Sequence, residues 1–175
     1  MEAIAVEKPA RDEYAPRAAP YVNLVEGPPL AALTRQIEES LATLRSVSDQ
    51  GSLYRYEPGK WSLREVVGHI IDSERVFAYR AMRFARADQT ELAGFEQDDY
   101  VAAANFDSRP WPELLSEFEI VRRSSVLLFG GFDREAWLRR GAANNNPMSV
   151  RAGAYLIAGH ELHHMRIIRE RYLAR

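Results

Sequence analysis

Apolar residues in this chain recur at three- and four-residue steps in four separate stretches, and nowhere do they alternate at period two over a useful length. That periodicity decides the fold class. Each stretch can bury a single stripe only as a helix, and the stripes must then cover one another. In GPPLAALTRQIEESLATLRSVSDQG the repeat runs through Leu30, Leu33, Ile37, Leu41 and Leu44, with Pro28 or Pro29 suited to the first turn and Gly51 to the stop. In YEPGKWSLREVVGHIIDSERVFAYRAMRFAR, Pro58-Gly59 signals a turn, Ser62 with Glu65 a capping box, and Trp61 with Val66 a hydrophobic staple. Val66, Ile70, Ser73 and Phe77 then follow one face. The third stretch is capped by Ser108 and started by Pro110; it carries Leu114, Phe118, Val121, Ser125 and Leu128 and ends at Gly130-Gly131. Ser149 caps the fourth, which runs to about Leu173 along a seam of Val150, Ala154, Ile157, His160 or Glu161, His164 and Ile168.

Four long amphipathic helices read as an all-α four-helix bundle over residues 27–175, preceded by an extended N-terminal arm, residues 1–26, that carries Pro9, Pro16 and Pro20. The connection ADQTELAGFEQDDYVAAANFDSRP has room for a short helical piece near Asp98–Ala103, and FDREAWLRRGAANNNPM reads as a loop. Strands are not expected. The two longer connections leave open whether the helices run simply up and down.

Charge and composition remove several function classes. A net charge of −2 provides no field for nucleic acid or an anionic membrane. No apolar run is long enough to span a bilayer, and the first residues lack the apolar segment of a signal peptide. The absence of cysteine excludes disulfides, a cysteine nucleophile and thiolate metal sites, and suits a cytoplasmic protein.

The chemistry therefore rests on four histidines, His69, His160, His163 and His164. His160-Glu161-Leu162-His163-His164 matches H-E-x-x-H, the zinc metalloprotease pattern. The third ligand of that pattern is missing. Glu170 stands where a metzincin has its last histidine, Ile167 stands where it has glycine, and the sequence reads on only to Arg175 without a helix to supply an acidic ligand. His160 and His164 nevertheless lie one turn apart on the apolar seam. Buried imidazoles need a hydrogen-bond partner or a ligand, and a shared metal serves two neighbouring ones. His69, on the second helix, can join them. Three imidazoles with an open position make the donor set of a catalytic rather than a structural metal site.

YEPGKWSLREVVGHIIDSERVF and GHELHHMRII resemble the second- and last-helix motifs of the DinB-like (DinB/YfiT) superfamily, and the resemblance covers residues 27–174. It implies a four-helix bundle holding a divalent metal, nickel or zinc, through His69, His160 and His164, with His163 outside the ligand set. It also implies a homodimer. Relatives include thiol S-transferases acting with bacillithiol, mycothiol or glutathione, and metal-dependent hydrolases. The expected partner is thus a small molecule, in first place a low-molecular-weight thiol. A non-catalytic metal-binding or dimerisation bundle is the rival of another class. Many family members follow the last histidine with Arg-Gly-Gln; Met165-Arg166-Ile167 departs from this, so no one branch's substrate transfers.

The neighbouring candidates carry ordinary readings as well as functional ones. Asp72 and Glu74 follow His69 closely; Asp72 reads as a solvated acid paired with Arg75 or Arg80, or as a group that orients His69 or takes a proton from metal-bound water. Tyr100 can reach over the site but reads better as core packing, and His163 sits at the edge of the seam. Glu161, about 100° around the helix from His160, is an incidental match that is exposed or bound to a neighbour. Trp61, Trp111 and Trp137 read as packing residues, and the arginines of MRIIRERYLAR as a solvated helix end.

Overall fold

The four periodic stretches fold as helices joined by shorter elements. The structure, a computed structural model, describes residues 6–174. In chain order the helices are α1 (Ala19–Leu24), α2 (Pro29–Arg45), α3 (Leu63–Ala85), α4 (Gln97–Ala104), α5 (Trp111–Gly130), α6 (Arg134–Leu138) and α7 (Val150–Ile167), and a π-helical turn (Ile168–Leu173) continues the last. No helix among the described residues is long and apolar enough to cross a membrane.

Local chemistry sets several of the boundaries. Ser62 Oγ accepts the Glu65 N–H at 3.0 Å while Glu65 Oε2 accepts the Ser62 N–H at 2.7 Å, the reciprocal cap written in the sequence. Trp61 and Val66 pack in the same apolar cluster. Ser149 Oγ accepts the Ala152 N–H at 3.0 Å and starts α7. Two expected boundaries move. Ser108 lies in a 3-10 turn, Phe106–Ser108, and does not cap α5; the Trp111 N–H donates instead to Asp49 Oδ1 at 3.0 Å. α2 stops at Arg45, where Ser46 is the cap, and Gly51 belongs to a separate turn, Gly51–Leu53.

α3 packs on α5 and α7, and α2 also packs on α5 and α7, so the sequence neighbours α2 and α3 lie across a diagonal. The longer connections permit this order, and it sets α3 against α7, the two helices that carry the histidines. The core divides into two apolar clusters. One holds Leu33, Phe84, Phe129 and Tyr155; the other holds Leu41, Ile70, Leu114 and Ile168. Polar residues from all four helices are buried as well: Ser40, His69, Glu74, Arg122, His160 and Glu161.

Two expectations are corrected. The arm is not extended throughout. Pro16 and Pro20 stand in the first positions of helical turns, where a missing N–H costs nothing, and Pro16–Ala18 leads directly into α1. Val22 and Val25 are buried, and α1 lies on α7 at Gly159, where a Cβ would come 2.0 Å from the Tyr21 carbonyl oxygen. Residues 1–5 of the arm lie outside the described residues. Strands are also present. β1 (Arg140–Ala143) and β2 (Asn146–Ser149) pair as an antiparallel hairpin, with Asn144 and Asn145 at φ 53° and 57°. Consecutive left-handed residues make the tight turn that matches strand twist, and asparagine tolerates that conformation. A four-residue hairpin is too short to display alternation in sequence. The short helix expected near Asp98–Ala103 is α4.

Candidate metal centre

Facing positions on α3 and α7 bring His69, His160 and His164 together. His69 Nε2 lies 3.0 Å from His160 Nε2, and His164 Nε2 lies 3.1 Å from that same atom. The three side chains form the only group of potential metal-ligating residues found among the described residues. Neither Asp72 nor Glu161 belongs to it, and no fourth ligand closes the cluster among the described residues.

The donor set fits a divalent metal. A neutral imidazole has one in-plane site at Nε2, either a proton or a lone pair, so His160 Nε2 cannot satisfy two neighbouring nitrogens at once. A cation satisfies all three, and metal–nitrogen bonds of about 2.0–2.1 Å place ligand nitrogens roughly 3 Å apart. Burial also keeps the rings in the ligating form. It pushes His69 down to about 4. Burial, reinforced by the adjoining histidines, lowers His164 to about 3 and His160 well below its ordinary value. Ser73 Oγ lies 3.5 Å from His69 Nδ1, the ring nitrogen facing away from the cluster. The Trp61 ring tilts against His69 with centroids 4.9 Å apart.

Glu161 takes no part in a protease-like site. Its Oε2 lies 2.5 Å from Arg122 Nη2, and its Oε1 accepts the Ser40 hydroxyl at 2.5 Å. Arg122 also donates through Nε to Glu74 Oε1 at 2.9 Å and through Nη2 to Glu74 Oε2 at 2.9 Å. Burial pulls the Arg122 guanidinium down, yet the two carboxylates outweigh it and raise its pKa above the ordinary value. The acid of the H-E-x-x-H match is thus committed to the core. Glu74 joins it there on the same guanidinium. The sequence reading missed Arg122; the only available signal was its place one turn after Phe118.

The other candidates separate cleanly. Asp72 is half-buried and pairs with Arg75 at 3.7 Å, as expected for its ordinary reading. His163 is half-buried and lies edge-on to Tyr21 and His164, outside the ligand cluster. Tyr100 is exposed and rests against Phe95, neither in the core nor over the histidines, because α4 turns it outward. Trp111 and Trp137 are buried in the two apolar clusters.

One side of the centre is open. A cavity of about 540 Å³ reaches His69 and His160 and is walled by α3, the arm, the hairpin and the segment before α4. Its volume lies in the range of small-molecule sites, about 300–1,000 Å³. Tyr21, Phe77 and Leu156 give it apolar walls. The arm therefore forms part of the site, a role its sequence did not show.

A family model described as the DinB superfamily matches residues 32–168. Among solved structures, YfiT from Bacillus subtilis, described as a probable metal-dependent hydrolase with an unusual four-helix bundle topology, superposes with a TM-score of 0.72 at 16% identity, covering 95% of this chain and 92% of that one. A mycothiol-dependent maleylpyruvate isomerase superposes with a TM-score of 0.64 at 10% identity; 78% of this chain matches 58% of the isomerase chain. Among curated proteins none matches this sequence.

Proposed function

The chain belongs to the DinB superfamily, and from that premise we propose that it is a metal-dependent enzyme whose three histidines hold zinc or nickel beside a small-molecule cleft, with a low-molecular-weight thiol as the activated group. The observation that carries this reading is the pairing of an open three-histidine cluster with an adjoining cavity of about 540 Å³. A purely structural or storage role needs neither an open ligand position nor a cleft.

A metal bound there supplies Lewis acidity and lowers the pKa of a group that meets it. The chain's own residues do the rest. His69, His160 and His164 are held neutral by burial, so they present lone pairs at the pH of the cell. Glu161 and Glu74, locked onto Arg122, fix α7 and α3 across the bundle and keep the histidines in register. Tyr21 and Phe77 shield the His160 ring, lying edge-on to it at 5.5 and 6.4 Å.

The thiol is favoured over water by the acids of the site. Among the described residues no carboxylate joins the histidine cluster, and those on the cavity, Glu96 and Asp98, are exposed. A thiol, with an ordinary pKa of about 8.5, needs less help to lose its proton than water does. The description of YfiT as a probable metal-dependent hydrolase supports the second reading, hydrolysis at the same centre; the mycothiol dependence of the isomerase supports the first.

The first test is metal content. Plasma mass spectrometry on tag-free protein should find near-stoichiometric metal, lost in His69→Ala and in His164→Ala. Protein that stays metal-free after incubation with zinc and with nickel would remove the proposal. Metal-loaded protein is then supplied with glutathione, bacillithiol or mycothiol and an electrophile, and the thioether product is followed by mass spectrometry. Faster adduct formation than in the histidine variants supports the thiol reading.

A further inference from the structure

Three turns along α3 from His69, the same face presents Arg80 to the same cavity. His69, Ser73, Phe77 and Arg80 all line it. Eleven residues of helix separate the first from the last, about 16 Å of axial rise and close to three whole turns. Arg80 is only 8% exposed, which for a guanidinium normally requires a carboxylate partner. It has none among the described residues. Among the described residues its one hydrogen bond runs from Nη2 to the Ala93 carbonyl oxygen at 2.7 Å. Four of its five N–H donors have no acceptor among the described residues.

The surroundings sharpen the anomaly. Arg17, on the arm, lines the same cavity and likewise has no carboxylate partner among the described residues. Burial, and then the positive charge of Arg17, both pull Arg80 below its ordinary pKa. Two cations are thus brought together on one cavity. Glu96 and Asp98 also border it, yet neither forms an ion pair with either guanidinium. Elsewhere this protein pairs its buried cations closely. Arg122 lies on Glu74 and Glu161, and Arg64 lies 2.8 Å from Asp49. Arg80 stands apart from that pattern.

We propose that Arg80, assisted by Arg17, is an oxyanion-binding subsite of the cleft, which takes substrates bearing a carboxylate or phosphate group at the end remote from the reacting atom. The guanidinium fork matches either oxyanion through paired N–H donors. An anion seated there would supply the missing acceptors and relieve the repulsion between the two arginines. The separation along α3 demands an extended molecule, with its anionic group at Arg80 and its reactive centre at the histidines. Phe77, between the two, offers an apolar surface for the connecting part. The placement of the reactive centre rests on the function proposed above; the anion site itself does not.

The test separates the two claims. Succinate and inorganic phosphate are titrated separately into the full-length chain and followed by nuclear magnetic resonance, with wild type, Arg80→Gln, Arg80→Lys, Arg17→Gln and His69→Ala compared. Saturable binding at millimolar concentration is expected for wild type and His69→Ala, weakened at least tenfold in Arg80→Gln and less in Arg80→Lys and Arg17→Gln. Binding of succinate alone identifies a carboxylate site, and binding of both a general oxyanion site. The proposal is overturned by no saturation with either anion, or by equal affinity in wild type, Arg80→Gln and Arg17→Gln. Thermal unfolding shows that each variant is folded; should Arg80→Gln not fold, Arg80→Lys and Arg17→Gln decide. Metal content is unaffected by Arg80→Gln if both readings hold, so an absent metal and an absent anion site are distinguishable results.

Discussion

Arg122 is wholly buried at the middle of the bundle, held between Glu74 and Glu161. Such a cation is tolerated only with its partners in place, because removing one partner leaves uncompensated charge in the core. Arg122→Met should destabilise the fold by about 3–5 kcal/mol, read from urea unfolding, because two like-charged carboxylates would then face each other. Combining it with Glu74→Gln and Glu161→Gln should recover part of the loss; a single variant as stable as wild type would mean that the triad does not hold the helices. The same residues explain why H-E-x-x-H misleads. The motif places Glu161 beside His160 in sequence, but the helix points it at Arg122 while His160 faces His69. Spacing along one helix identified the His160/His164 pair, whereas the role of the intervening acid depended on α2, α3 and α5.

At the level of elements, the contact of α1 with α7 is the one most easily tested. Gly159 precedes His160, and a Cβ there would meet the Tyr21 backbone at 2.0 Å. Backbone cannot step aside as a flexible side chain can. Gly159→Ala should therefore cost about 1–3 kcal/mol by overpacking, and should open the cavity wall that the arm provides. Gly130→Ala, whose Cβ would have 3.8 Å to its nearest neighbour at Leu30, is the control and should be neutral or slightly stabilising. Denaturant unfolding of the two variants compares them directly, and equal stability would show that α1 does not press on α7. The helix starts at Ser62 and Ser149 were legible because their caps are local hydrogen bonds. The start of α5 was misread because Asp49, far away in sequence, receives its first N–H.

Across the whole molecule, Glu13 fastens the arm to the body. It is buried, receives Arg151 at 2.5 and 2.8 Å, and lies 3.4 Å from Arg140. Burial by itself raises its carboxyl, but hydrogen bonds from Arg151, Ser149 and the Ala10 N–H outweigh this and hold it at about 2, against an ordinary 4.5. A carboxyl depressed by folding contributes stability above its unfolded pKa, and that contribution is lost as pH falls through the folded value. Wild type should therefore be more stable than Glu13→Gln at neutral pH, and the difference should shrink between pH 4.5 and about 2. Urea midpoints across that range measure it, and a difference that stays constant would detach Glu13 from the arm's anchorage. The sequence by itself determined the four helices, two of their caps and the His160/His164 pair, because periodicity, capping and i,i+4 spacing act within a few residues. Only the tertiary structure decided that α2 and α3 lie diagonally, that His69 reaches the pair, that Glu161 and Glu74 serve Arg122, and that the arm and Arg80 border the cavity. Those are contacts between residues far apart in the chain, settled by how the helices pack and by which buried charges find partners, and local pattern carries no record of either.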